Sequence, residues 1–385
     1  MKRLLFVLLV MLGGCASTPS QPPTPDLYSD ASFGPPSTPI STANLFTLSP
    51  EMRDYLHGAA FQTHVRNRGQ EYGLLEALYS GGKSGLKVDY DATYTRNAAE
   101  TYRDRAGNCM SLVIMTAAFA KELGMRVQYQ NVMLDESWSR NGGLYLLSTH
   151  VNLVLGFRIP NQLYATDPER SLVVDFLPDP RADKRYTQPL EEEDIVMMYQ
   201  NNRAAEAMVQ GKLDDAYWWA RAATSGNPRT ALAYNTLGVV YERHDNMVMA
   251  ERAYRAALMR EPENVIALRN LEPVLAALGK TEEAKAVAQR VARIEPVPPF
   301  HDFNKGVTAY QHGNFNEART LFAREVKRAP YYDEFHFWLA ASLLQLGDIQ
   351  QAREQLRLAA DTSTQKSTRN IYNAKLAHLR QLGMR

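Results

Sequence analysis

Three residues of this chain have types and surroundings that could do covalent chemistry together: Cys109, His150 and Asp175. Thiol acyl transfer needs a nucleophile, a base beside it and a group that orients the base. The nucleophile would come from the stretch Ala106-Gly107-Asn108-Cys109-Met110-Ser111-Leu112-Val113. Gly107 can turn the chain sharply, and Asn108 is a favoured helix cap. Beyond Cys109, Leu112, Met115, Ala118 or Phe119, and Leu123 recur at spacings of three and four, and Gly124 follows as a stop. Cys109 therefore heads a helix. Backbone N–H groups and the positive end of the helix dipole favour its thiolate, the reactive form.

The elements that must position the other two groups follow in order. Val127, Tyr129, Asn131 and Met133 alternate with polar residues and predict a strand. Asp135–Gly143 reads as a polar loop. Tyr145–Phe157 reads as a strand that carries His150, Pro160-Asn161 as a turn, and Ser171–Phe176 as a further strand that carries Asp175. On adjacent antiparallel strands His150 and Asp175 could be cross-strand neighbours. Asp167, in Thr166-Asp167-Pro168, is the rival third member, but its context signals a turn. Ahead of Cys109, Ser49-Pro50-Glu51 starts a helix, Leu74, Leu75 and Leu78 mark a second, and Thr95–Asp104 a third. Helices first and a meander of strands after give an α+β domain over 49–196.

This middle region resembles a transglutaminase-like domain, the papain-related cysteine protease-like fold. The resemblance rests on Gly107-Asn108-Cys109, Thr149-His150-Val151 and Val173-Val174-Asp175 in that order. Leu112 and the pair Leu123-Gly124 are similar to the bacterial branch of that superfamily. It implies a Cys-His-Asp triad acting on amide bonds of a protein or peptide substrate. It departs from many members at Asn152, where they have a tryptophan, and at Phe176-Leu177-Pro178 after the aspartate. The Cys109 backbone N–H is one oxyanion donor, and no second donor is legible. Water would resolve the thioester in a protease or amidase, the expected outcome; an amine would do so in a transglutaminase.

The N-terminus is a targeting segment. Lys2 and Arg3 precede an apolar run from Leu4 to Leu12, too short to span a bilayer. Leu12-Gly13-Gly14-Cys15 resembles the lipobox of bacterial lipoproteins, which implies a signal peptide over 1–15 and a lipid on Cys15. Ala16 after it suggests, by the same resemblance, the periplasmic face of the outer membrane. The chain has two cysteines, so Cys109 has no disulfide partner left. Residues 16–48 carry Pro22-Pro23, Pro25, Pro35-Pro36 and Pro39 among many Ser and Thr, and read as an extended, solvated tether.

From 197 the pattern is periodic. Ala216, Ala250, Ala284, Ala318 and Ala352 stand 34 residues apart, with Pro228, Pro262, Pro296 and Pro330 in the same register. Tyr234, Leu237, Gly238, Tyr241, Ala250, Tyr254, Ala257 and Pro262 make the second unit resemble the tetratricopeptide repeat. Five units span 197–366, and 367–385 reads as a capping helix, an all-α solenoid after the α+β domain. Units one and four depart from the pattern at Gln200 and Asp302. In units four and five Phe303, Tyr310 and Phe337 are expected to line an apolar patch in the groove that receives a protein segment. A net charge of +1 offers no nucleic-acid footprint. No Cys/His grouping has zinc-ligand spacing, and Gly81-Gly82-Lys83-Ser84 lacks the upstream glycine of a phosphate loop. No metal or cofactor is therefore expected. The competing reading is a membrane-bound repeat scaffold whose transglutaminase-like domain is inactive.

Overall fold

A computed structural model of the chain describes residues 26–80, 85–133, 138–141, 144–147, 150–156, 171–176, 186–297 and 299–382. Cys15 and Asp167 lie outside these residues. The first helices are α1 (Pro50–His57), α2 (Ala59–Arg68) and α3 (Gln70–Tyr79). Ser49 caps α1 through its hydroxyl oxygen, 3.3 Å from the Met52 nitrogen, with proline in the first turn. There follow β1 (Asp89–Tyr90), α4 (Ala98–Asp104), β2 (Ala106–Gly107) and α5 (Cys109–Glu122). The third expected helix starts later than Thr95 because Asn97 and Glu100 form a reciprocal capping box. Every residue of α5 from Met110 to Ala120 is buried. A helix apolar on all sides must sit at the centre of its domain, and α5 does.

Six strands follow: β3 (Arg126–Met133), β4 (Trp138–Asn141), β5 (Leu144–Leu147), β6 (His150–Gly156), β7 (Ser171–Val174) and β8 (Tyr186–Leu190). Four form an antiparallel sheet in the order β7-β6-β3-β8. The expected loop Asp135–Gly143 instead contains β4, which pairs with β5 as a hairpin. Val151, Leu153 and Leu155 are fully buried in β6.

The helical part comprises α6 (Glu192–Val209), α7 (Leu213–Gly226), α8 (Ala231–Arg243), α9 (Met247–Arg260), α10 (Val265–Ala277), α11 (Thr281–Ile294), α12 (His301–Gln311), α13 (Phe315–Arg328), α14 (Asp333–Gln345), α15 (Ile349–Thr362) and α16 (Lys366–Leu382). The first repeat helix begins ahead of residue 197, where Glu191 and Asp194 cap each other's backbone. The periodic alanines Ala216, Ala250, Ala318 and Ala352 are fully buried. Close helix approach has a second cause. A Cβ on Gly238 would stand 2.4 Å from the Tyr254 ring, and one on Gly306 2.7 Å from the Phe322 ring. The same contact thus recurs two repeats apart. No described helix is long and apolar enough to cross a membrane.

Two expectations are corrected. Residues 26–48 are not a solvated tether. Leu27, Phe33, Leu45 and Leu48 are buried. Phe33 stacks on Tyr217 of α7 with ring centroids 3.9 Å apart, and the Leu45 carbonyl accepts the Ala98 N–H at 3.1 Å. The segment straps the first two repeats to the sheet domain. Nor does Phe303 line an open groove. It is 2% exposed and packs among Phe300, Phe322, Phe335 and Trp338. With polar Asp302 at the usual packing position, the neighbouring Phe303 turns inward and its backbone N–H donates to Glu325. Tyr310 and Phe337 are half-buried. Tyr310 meets Phe315 and Trp338 edge-on, and Phe337 is stacked by Tyr372 of α16. All three rings thus pack against other rings of the chain.

The domains also meet near the chemistry. The Thr95 N–H donates to Glu206 of α6 at 2.8 Å, and the Ala92 N–H to the Thr364 carbonyl at 3.3 Å.

Candidate active site

Asn108 fixes the start of α5. Its side-chain oxygen accepts the Ser111 N–H at 2.9 Å and the Ser111 hydroxyl at 2.8 Å, and its amide donates to Thr95 Oγ1 at 2.7 Å. Cys109 is then the first helical residue, half-buried and free of any disulfide. Gly107 is needed for a different reason than a sharp turn. Its backbone is not left-handed, but a Cβ there would stand 2.6 Å from Ser111 Cβ and 3.2 Å from Thr101 Cγ2.

His150 opens β6 opposite Val132 of β3 and is 3% exposed. Asp175 follows directly on β7 rather than lying within it. The Leu153–Val174 pair in the register puts Asp175 diagonal to His150. His150 Nε2 lies 2.6 Å from Asp175 Oδ1. Cys109 stands close enough to His150 to bear on the charge of its ring, at the place where α5 packs on β6. The structure thus brings Cys109, His150 and Asp175 together.

The charges of the site reinforce one another. Burial alone would depress the His150 pKa. The hydrogen bonds and charges of Asp175 and Cys109 outweigh burial and raise it to about 9. The imidazole is therefore a cation at neutral pH, held between a carboxylate and a thiol. Asp175→Asn is expected to return the His150 titration, followed by NMR of its ring protons, toward the ordinary value of 6.5. The folded pKa lies above the unfolded one, so the stabilisation from this pairing is complete below 6.5 and lost as pH rises through about 9. The stability gap between wild type and Asp175→Asn should close over that same range in urea titrations.

Two more polar residues adjoin the triad: Tyr90, which the sequence did not flag, and Asn152, which it marked only as a departure from the family pattern. Tyr90, half-buried on β1, lies opposite Gly107 of β2 and close enough to Cys109 for the two to bear on each other's charge. Asn152, 3% exposed on β6, has no hydrogen-bond partner for its side-chain oxygen among the described residues. By contrast His336 is a packing residue, bonded to Gln355 at 2.7 Å and to the Pro330 carbonyl at 2.9 Å.

Residues 303–367 match a family model described as tetratricopeptide repeat. The chain carries tetratricopeptide repeats. Stacked repeats of this kind form an interaction surface for proteins. Among solved structures, that of pilF from Pseudomonas aeruginosa is 20% identical, with 50% of this chain and 87% of that chain covered and a TM-score of 0.28. YrrB, a tetratricopeptide-repeat protein with an unusual peptide-binding site, is also 20% identical, with 46% and 92% covered and a TM-score of 0.26. A thermophilic repeat protein of Thermus thermophilus is 18% identical, with 47% and 99% covered and a TM-score of 0.29. No curated protein matches the chain.

Proposed function

We propose that the protein is a lipid-anchored thiol acyl-transfer enzyme with a transglutaminase-like domain, acting on an amide bond of a protein substrate bound by its repeats. The observation that carries this reading is the 2.6 Å contact of His150 Nε2 with Asp175 Oδ1, with Cys109 close enough to bear on the charge of the same ring. The Cys109 thiolate attacks the amide carbonyl carbon, and the carbonyl oxygen takes the negative charge beside the Cys109 N–H. The C–N bond breaks as the His150 imidazolium protonates the departing nitrogen. Water, deprotonated by the neutral imidazole, then attacks the thioester, releases the acid and restores the thiolate. Asp175 holds the ring in orientation throughout. An amine in place of water would make this a transamidation.

The test uses p-nitrophenyl acetate as the acyl donor and intact mass spectrometry as the readout. One acetyl group is expected on Cys109, lost on standing in water and lost faster in methylamine if amines are true acceptors. A protein that takes up no acetyl, while its thiol is accessible to alkylation, would favour a scaffold.

Cys15 is proposed as the lipid site. With Leu27 docked on the repeats, the chain from Cys15 reaches at most roughly 40 Å from the body. Cys15→Ser should release a soluble periplasmic form, read by membrane fractionation. A variant that stays with the membrane would require a second contact.

A further inference from the structure

Thr95 is fully buried between the repeats and the helix that carries the nucleophile. Its N–H donates to Glu206 Oε1 at 2.8 Å, its carbonyl accepts from Arg203 Nη1 at 3.3 Å, and its hydroxyl oxygen accepts from Asn202 Nδ2 at 3.4 Å. These partners all belong to α6, the first repeat helix. Toward the other side, the same hydroxyl oxygen accepts the Asn108 amide at 2.7 Å. The next residue adds a parallel link, since the Arg96 N–H donates to Ser111 Oγ at 2.8 Å. The α6 end of this bridge is braced in turn. The Arg203 guanidinium lies 4.3 Å from the Tyr94 ring centre and 5.5 Å from that of Trp219 in α7, and its Nε stands 3.5 Å from Glu206 Oε2.

The bridge ends on the cap of α5. Asn108 accepts the Ser111 N–H with its oxygen while its nitrogen is held by Thr95. The amide is rigid and planar, so the bond at one end fixes the other. An Asn108 side chain free to turn would leave the Ser111 N–H without its acceptor, and the first turn of α5, headed by Cys109, would fray. Attack on a carbonyl needs the sulfur and the Cys109 N–H in fixed places at once.

Resting on the acyl-transfer reading, we infer that Thr95 is a positioning residue for Cys109 and that α6 of the first repeat holds Thr95 in place for it. The repeats then do more than bind a substrate. Their first helix completes the support of the nucleophile.

The test measures acetylation of the full chain by p-nitrophenyl acetate, well below each variant's melt. Cys109 Sγ bonds to the carbonyl carbon, the ester C–O bond breaks, and p-nitrophenolate leaves with the electron pair. Thr95→Val keeps the shape and removes the hydroxyl, and should slow acetylation about 10-fold. Thr95→Ser restores the hydroxyl and should restore the rate. Glu206→Leu removes the acceptor of the Thr95 N–H from the α6 side and should slow acetylation too. If the α6 effect runs through Thr95, the double variant is no slower than Thr95→Val alone. Tyr254→Phe is the control. It removes a buried hydroxyl within the repeats, one that donates to Glu242 at 2.7 Å, and should change the melt without changing the rate.

A Thr95→Val protein that melts lower but acetylates at the wild-type rate would make Thr95 merely structural and overturn the inference. So would a Thr95→Ser protein as slow as Thr95→Val, additive losses in the double variant, or an equal fall in Tyr254→Phe. Should Thr95→Val give no cooperative melt, Glu206→Leu read against Tyr254→Phe decides: a wild-type rate overturns the inference and a slowed one supports it. A wild-type protein that forms no Cys109 acetyl adduct would refute the acyl-transfer reading itself, and the Thr95 role with it.

Discussion

Cys109→Ala is expected to form no acyl adduct and to lose about 10⁶-fold in acyl transfer while melting like the wild type. The loss is large because the sulfur makes the bond that defines the first step. The fold should survive because Cys109 is half-buried at the first position of α5. The helix start is held by Asn108, which bonds Ser111 and Thr95 and not the thiol. The contact of His150 with Asp175 does not involve the thiol and should persist in the variant. His150→Ala should be as severe for acyl transfer. Asp175→Asn should be milder by about 100-fold, since the nucleophile and ring remain and orientation is lost. The rate of p-nitrophenolate release and the melting curve measure both sides. Full activity in Cys109→Ala would end the enzymatic reading, and a lost cooperative melt would make Cys109 structural.

The parts of this molecule legible in its sequence are those with a repeating physical cause. Helix pairs that pack against copies of themselves need a small residue at fixed intervals, so the alanines from Ala216 to Ala352 announce the solenoid. Cys109 and His150 were legible because each sits in an apolar element of clear period. Tyr90 was not, because a strand of two residues has no period to read. Gly107 was legible as a glycine but not for its cause, which lies in Ser111 and Thr101. Phe303 was expected in the groove, but Asp302 beside it departs from the repeat pattern, and it is Phe303 that is buried. A charged side chain at that place gives way to the phenylalanine next to it, which changes the face that the helix presents. The pairing of Asp175 with His150 depends on the register of β6 and β7, which is fixed by tertiary contacts.

Residues 26–37 were misread for a related reason, and their variant carries the second large effect. Pro and Ser content marks a segment that forms neither helix nor ladder, but an extended chain can still dock if a surface satisfies its backbone. Here α7 and α8 do so. Tyr241 donates to the Leu27 carbonyl at 2.6 Å, and the Ser29 N–H donates to the hydroxyls of Tyr217 and Tyr241, both at 3.0 Å. Trp218 donates to the Gly34 carbonyl at 2.7 Å, and Asp214 accepts the Gly34 N–H at 2.9 Å. Asp215 accepts both the N–H and the hydroxyl of Ser37 at 2.6 Å. Arg221 and Tyr217 both bind Asp30. Phe33 is the apolar anchor, nearly parallel to the Tyr217 ring at 3°. Phe33→Ala should therefore cost about 3 kcal/mol in urea denaturation. Amide exchange at residues 26–37 should rise with it, because the backbone bonds depend on the docked ring. The freed surface of Tyr217 and Tyr241 should then bind a synthetic peptide of residues 26–37 added in trans. The wild type, with that surface occupied, should not. A variant that keeps both its stability and its slow exchange would show that Phe33 is passive and that the hydrogen bonds alone hold the strap. Asp215→Ala, which removes two of them without touching the ring stack, would then become the destabilising change.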